Sequence, residues 1–265
     1  MAGRMVIFRA VRYGEDNMPR STGKIIGGVL CALGLGVAAA GAKDKVLFNG
    51  RNLDGWDGAP GWWTVEDGAL TAQSTAAKPC QQCNYLIWKG WQPADFELTC
   101  EFKLSAAANS GVQIRSLARP NWDTCGYQAD MTGDGALVGF VYHHTRGLIA
   151  GRGERVTVAP DGSRTVEKLG DPAELLKSFR PADWNTYRIV CRGPEITLFV
   201  NEVMMCQFTD RDAQQAAASG IIALQMHPGP PMKIQFRNLK LKELKHSKRT
   251  AAGLDNNTGK LARKG

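Results

Sequence analysis

Phe96-Glu97-Leu98-Thr99-Cys100-Glu101-Phe102-Lys103-Leu104 alternates apolar and polar side chains without a break. A period of two belongs to a strand with one face in a core, so Phe96, Leu98, Cys100, Phe102 and Leu104 are expected inward. Similar short runs flank it. Trp62 to Ala72 reads as a hairpin turning at Glu66-Asp67-Gly68, where glycine supplies a positive φ. Tyr187–Cys191, Ile196–Val200, Val203–Phe208, Gly220–Met226 and Ile234–Leu239 continue the series. Helical signal is scarce: Asp171-Pro172 with an early Glu174 starts one short helix, and Arg211 to Ser219 could add a turn or two. Many short strands between turn residues predict an all-β antiparallel sandwich or jelly roll, one domain over residues 43–244. Extra loops covering a sheet face are expected between Gly133 and Pro181.

The ends of the chain have a different character. Five Lys/Arg residues, Arg4 to Lys24, precede an apolar run from Ile25 to Ala40, and Ala40-Gly41-Ala42 supplies small residues for cleavage. Residues 1–42 therefore read as an export signal, with Met18 a candidate true start, and the mature protein as periplasmic or extracellular. An uncleaved anchor is the competing reading, although so many glycines and alanines make a weak span. Residues 245–265 are polar, basic and aperiodic, a disordered tail by composition. The formal net charge of +8 resides in these ends, since residues 43–244 carry 22 basic and 22 acidic side chains. A nucleic-acid partner is thereby disfavoured. Cys80, Cys83, Cys100, Cys125, Cys191 and Cys206 remain after signal removal, an even number that in an exported chain favours disulfides. The lone Cys80-Gln81-Gln82-Cys83 reads as a loop disulfide rather than a zinc knuckle, and Cys100 and Cys191, on predicted strands, suit burial as small apolar residues as well as a cross-strand bridge.

Two runs, Asn109-Ser-Gly-Val-Gln-Ile-Arg115 and Gly126-Tyr-Gln-Ala-Asp-Met131, carry amides and charges at alternate positions. Kept in phase, Gln113, Arg115, Gln128 and Asp130 share a sheet face with Glu97, Glu101 and Lys103 and with Gln225 and His227. Such a trough suits a carbohydrate: planar amides, carboxylates and Arg pair with vicinal hydroxyls, and aromatic rings pack on the apolar sugar face.

The ordered set L-F-N-G-R-N-L-D-G-W, W-W-T-V-E-D-G-A-L, D-F-E-L-T-C-E-F-K-L-S, N-S-G-V-Q-I-R, G-Y-Q-A-D-M, R-G-L-I-A, W-N-T-Y-R-I-V and G-I-I-A-L-Q-M-H resembles the 3-keto-disaccharide hydrolase family over about residues 45–244. The resemblance implies a concanavalin-A-like β-sandwich and cleavage of glycosides whose C3 hydroxyl has become a ketone. That ketone acidifies the C2 proton, so a base can form an enolate that expels the C1 group before water adds. On this reading His227 or His143 is the base and Asp130 orients it or acts as acid. Glu101, Asn109, Gln113, Arg115, Tyr127, Gln128, Arg146 and Gln225 are candidate substrate-binding residues. No cofactor is required by the sequence; a divalent ion on Asp130 and histidines would suit the groups, though no ligand spacing demands one. The E-x-D-x-E strand of retaining β-glucanases has only its aspartate here, in Gln128-Ala129-Asp130-Met131-Thr132, which disfavours a two-carboxylate glycosidase. A non-catalytic lectin-like carbohydrate-binding or envelope scaffold module is the alternative, a pure binder being expected to show an aromatic platform instead of His227 or His143 clustered with Asp130 and Arg115.

Overall fold

The computed structural model describes residues 44–245. The expected signal segment and, apart from Lys245, the basic tail lie outside the described residues. In chain order the strands are β1 (Lys45–Val46), β2 (Trp56–Gly58), β3 (Trp63–Glu66), β4 (Ala69–Gln73), β5 (Asn84–Trp88), β6 (Phe96–Leu104), β7 (Asn109–Arg119), β8 (Asp123–Thr132) and β9 (Phe140–His143). They continue with β10 (Gly147–Ala150), β11 (Glu154–Val158), β12 (Arg164–Lys168), β13 (Asn185–Arg192), β14 (Glu195–Val200), β15 (Val203–Asp210), β16 (Ile221–Met226) and β17 (Lys233–Glu243). One helix, α1 (Pro172–Leu176), precedes β13, and the Asp171 side chain caps it by accepting from the Ala173 and Glu174 amides.

Two sheets form. The larger has ten strands in the order β12-β11-β15-β14-β13-β6-β17-β4-β3, with β1 beside β17; the smaller runs β10-β9-β8-β7-β16-β5-β2. Every pairing is antiparallel except that of β11 with β15. The alternation of β6 is realised residue by residue, with Phe96, Leu98, Cys100, Phe102 and Leu104 all buried in the one core that joins the sheets. Opposite them, Val112 and Ile114 of β7, Tyr127, Ala129 and Met131 of β8, and Ile222, Leu224 and Met226 of β16 face the same core. Each Val, Leu, Ile, Phe or Met among them contributes about 1.5–3 kcal/mol on burial. The β3–β4 hairpin turns at Asp67 and Gly68, both at positive φ, the type I′ geometry that matches strand twist.

Two tyrosines strap β8 across this core in opposite directions. Tyr127 Oη, from β8, donates to Asp210 Oδ2 at 2.5 Å on the larger sheet, and Tyr187 Oη, from β13, donates to the Asp130 carbonyl at 3.1 Å.

Three expectations need correction. The Gly133–Pro181 segment is four strands and α1 rather than covering loops: β9 and β10 extend the smaller sheet, and β11 and β12 the larger. Residues 211–219 form no helix; Asp212 instead accepts from the Gln214 and Gln215 amides in a turn. All six described cysteines are free thiols, including Cys80 and Cys83, and Cys100, Cys191 and Cys206 serve as small buried apolar residues.

Candidate functional site

On the side of the smaller sheet turned from the core, alternation brings Asn109 of β7, Gln128 and Asp130 of β8, Gln225 of β16 and Tyr85 of β5 to one surface. These five line a cavity of about 280 Å³. Tyr142 of β9, Leu148 of β10, His144, Leu137, Cys83 and His227 complete its wall.

A directional chain of hydrogen bonds crosses the floor. Ser116 Oγ donates to Gln113 Oε1 at 2.9 Å, Gln113 Nε2 to Gln128 Oε1 at 2.5 Å, and Gln128 Nε2 to Asp130 Oδ1 at 3.0 Å. The Met131 amide also donates to Oδ1, so Oδ2 has no protein partner among the described residues. Burial raises the Asp130 pKa to about 7, against the opposing pull of the Gln128 and Met131 donors. Gln128 can lie flat between its partners because Gly111, paired with Asp130, has no side chain: a Cβ there would stand 2.4 Å from Gln128 Cδ.

The opposite wall is a second hydrogen-bonded group. Gln225 Nε2 donates to Tyr85 Oη at 2.9 Å, and Tyr85 Oη lies 2.9 Å from His144 Nε2. With Tyr85 donating to Nε2, the His144 proton sits on Nδ1, 3.2 Å from the Gly126 carbonyl. Burial raises the Tyr85 hydroxyl far above the ordinary phenol range, so it stays protonated. Gln225 Oε1 is buried without a partner. His227 Nδ1 lies 2.6 Å from the Pro228 carbonyl, which can only accept, so in the neutral ring Nε2 carries the lone pair.

Several expected site residues lie elsewhere. Glu101, like Glu97 and Lys103, belongs to β6 in the larger sheet and binds Arg237 and Asn238, so the single trough spanning both groups does not exist. Arg115 falls in a β-bulge of β7 with φ of 46°, where one extra residue reverses the side-chain phase. Its guanidinium bonds the Ala94 and Gly193 carbonyls and Asp95, latching the two sheets together. Tyr127 takes the core phase of β8. His143 faces the same way, packed edge-on against Tyr127, and burial lowers its pKa to about 4; its neighbour His144 faces the cavity. Arg146 pairs with Asp210 at 2.5 Å, outside the cavity wall. Gln113 lies beneath Gln128 as a link in the amide chain, fully buried. None of the seven tryptophans lines the cavity.

Tyr85 and Tyr142 were not anticipated. The run Asn84-Tyr-Leu-Ile-Trp88 has the alternation, Leu86 and Trp88 inward and Tyr85 outward, but its apolar character hides it. Among the described residues no group of three or more His, Cys, Asp or Glu is placed to hold a metal ion, so the divalent ion considered above finds no such cluster.

Residues 43–242 match the 3-keto-alpha-glucoside-1,2-lyase-like domain, which spans both sheets and every residue of the cavity wall. The chain belongs to that family. Membership in this 3-keto-glucoside lyase-like family marks a carbohydrate-active protein. Two crystal structures from Parabacteroides distasonis ATCC 8503, both assigned as glycosyl hydrolases, share the fold. One is 21% identical with a TM-score of 0.50, covering 76% of this chain and 100% of its own. The other is 18% identical with a TM-score of 0.51, covering 76% and 94%. No curated protein matches the chain.

Proposed function

We propose that this lyase-like domain cleaves 3-keto-glycosides by proton abstraction at C2, elimination at C1 and hydration, and that residues 1–42 export it to the periplasm or cell exterior. The carrying observation is Asp130, a buried carboxyl half-ionised near pH 7 in a cavity that also holds His144, His227 and Tyr85. Asp130 takes the C2 proton, and the C–H electron pair moves into a C2–C3 enolate with its charge on the C3 oxygen. Collapse of the enolate forms the C1–C2 double bond and breaks the bond from C1 to the leaving oxygen, which takes up a proton. Water then adds its oxygen to C1 and a proton to C2, giving the free keto-sugar. A base matched to the operating pH is the requirement such a step sets. The Asn109 amide is the donor the cavity wall offers to substrate oxygens, Tyr85 stays protonated with its hydroxyl hydrogen directed at His144, and His227 is the second proton carrier. Family membership and the absence of a tryptophan platform from the cavity wall favour this reading over a lectin-like module.

The test is to incubate the purified mature protein with a 3-keto-glucoside and with the unoxidised glucoside. Release of the aglycone from the keto-glucoside alone is expected. Binding without release from either would leave a carbohydrate-binding module and overturn the enzyme reading.

A further inference from the structure

The cavity wall changes chemical character along a single line of paired residues. Across the sheet, Gln113 pairs with Gln128, Gln128 with Tyr142, and Tyr142 with Leu148. The row thus runs from buried amides through an aromatic ring to an aliphatic side chain on the edge strand β10. Leu148 lines the cavity and is 48% exposed, one of few large apolar side chains left so open. Asp130 stands two residues from Gln128 on β8, in the adjacent row between Gly111 and Phe140.

A second observation fixes which part receives the sugar. Asp130 Oδ2 is a cavity-lining oxygen without a protein partner among the described residues, and the amides of Asn109, Gln128 and Gln225 line the same wall. Amides and carboxylates pair with vicinal hydroxyls, whereas Leu148 offers nothing to a hydroxyl. The hydroxyl-rich ring therefore lies over Gln225 and Gln128. C2 must reach Asp130, and the group on the adjacent C1 then projects toward Tyr142 and Leu148.

We infer that the leaving group is apolar: the protein acts on 3-keto-glycosides of alkyl or aryl alcohols in preference to 3-keto-disaccharides, with Tyr142 and Leu148 as the aglycone subsite. This rests on the keto-glycoside reading above. Alkyl 3-keto-glucosides test it cleanly, because methyl, butyl and hexyl leaving oxygens are nearly equal in basicity and differ in apolar length. The expected kcat/KM rises roughly three- to four-fold for each methylene that is buried, and Leu148→Thr, a strand-compatible change on an exposed edge, flattens the series. A flat series in the wild type, a disaccharide cleaved faster than the hexyl glycoside, or a slope unchanged by L148T overturns the inference. Calorimetric binding of the unoxidised methyl and hexyl glucosides separates the two readings. Tighter hexyl binding that L148T abolishes, with no keto-glycoside turned over, retains the apolar subsite and rejects the lyase; equal binding rejects the subsite even where turnover is seen.

Discussion

Asp130 titrates near pH 7 in the folded chain and near its ordinary value of 3.8 in the unfolded one, which ties activity and stability to the same proton. Its folded pKa is raised, so the stability it confers is complete below about pH 4 and is lost as pH rises toward 7. Asp130→Asn removes the ionisation, and the variant's urea midpoint should stay flat from pH 4 to 7 where the wild type declines, a difference on the order of a few kcal/mol. In keto-glucoside assays the same variant should lose at least about 100-fold in kcat, and the wild-type rate should climb through an apparent value near 7. Gly111 permits the amide chain at the level of one missing methyl group. Gly111→Ala should displace Gln128 and cost about 1–3 kcal/mol in denaturant melts, with a downward shift in the pH–rate midpoint if Asp130 then gains water.

Strand by strand, alternation was a reliable guide until a strand ceased to be regular. Val112, Gln113 and Ile114 take the sides their order dictates, and so do Gln128 and Asp130. Arg115 does not, because the bulge inserts one residue, and nothing in Gln-Ile-Arg-Ser announces it; the glycines that accommodate it, Gly126 and Gly220, lie on other segments. A Cβ on Gly220 would meet the Arg115 carbonyl carbon at 2.4 Å, so the bulge is defined by neighbours distant in sequence. The same parity argument governs His143 and His144, where choosing the wrong member of the pair exchanges a core residue for a cavity one. Arg115 holds carbonyls of two loops and a buried carboxylate, so Arg115→Ala should destabilise by about 3–5 kcal/mol. Turnover per folded molecule should survive; a loss of kcat without a loss of stability would return Arg115 to the site.

For the molecule as a whole, the sandwich was legible from β6 and its companions because burial on one face needs only local alternation. Which strands share a sheet was not, since β6 and β8 look alike in sequence and differ only in long-range pairing. The cysteine count misled for a related reason: an even number says nothing of distance, and Cys100, Cys191 and Cys206 are spent on core packing. Thiol titration of protein lacking residues 1–42 should find Cys125 reactive in the folded state, Cys83 slower because burial raises its thiol pKa, and all six only in denaturant, with no change in Tm on adding reductant. Fewer than six thiols after unfolding without reductant would show a bridge.

The two tyrosine straps have a kinetic consequence. With Tyr127 anchoring β8 to Asp210 and Tyr187 gripping the Asp130 carbonyl from the facing sheet, β8 cannot part from its neighbours unless the sandwich itself comes open. Its paired amides should therefore exchange with deuterium only as fast as the entire domain unfolds, later than those of the edge strands β10 and β12. The cavity carboxyl is thus mounted on a strand tied to both sheets, so a ligand arriving there should meet a surface that is already ordered.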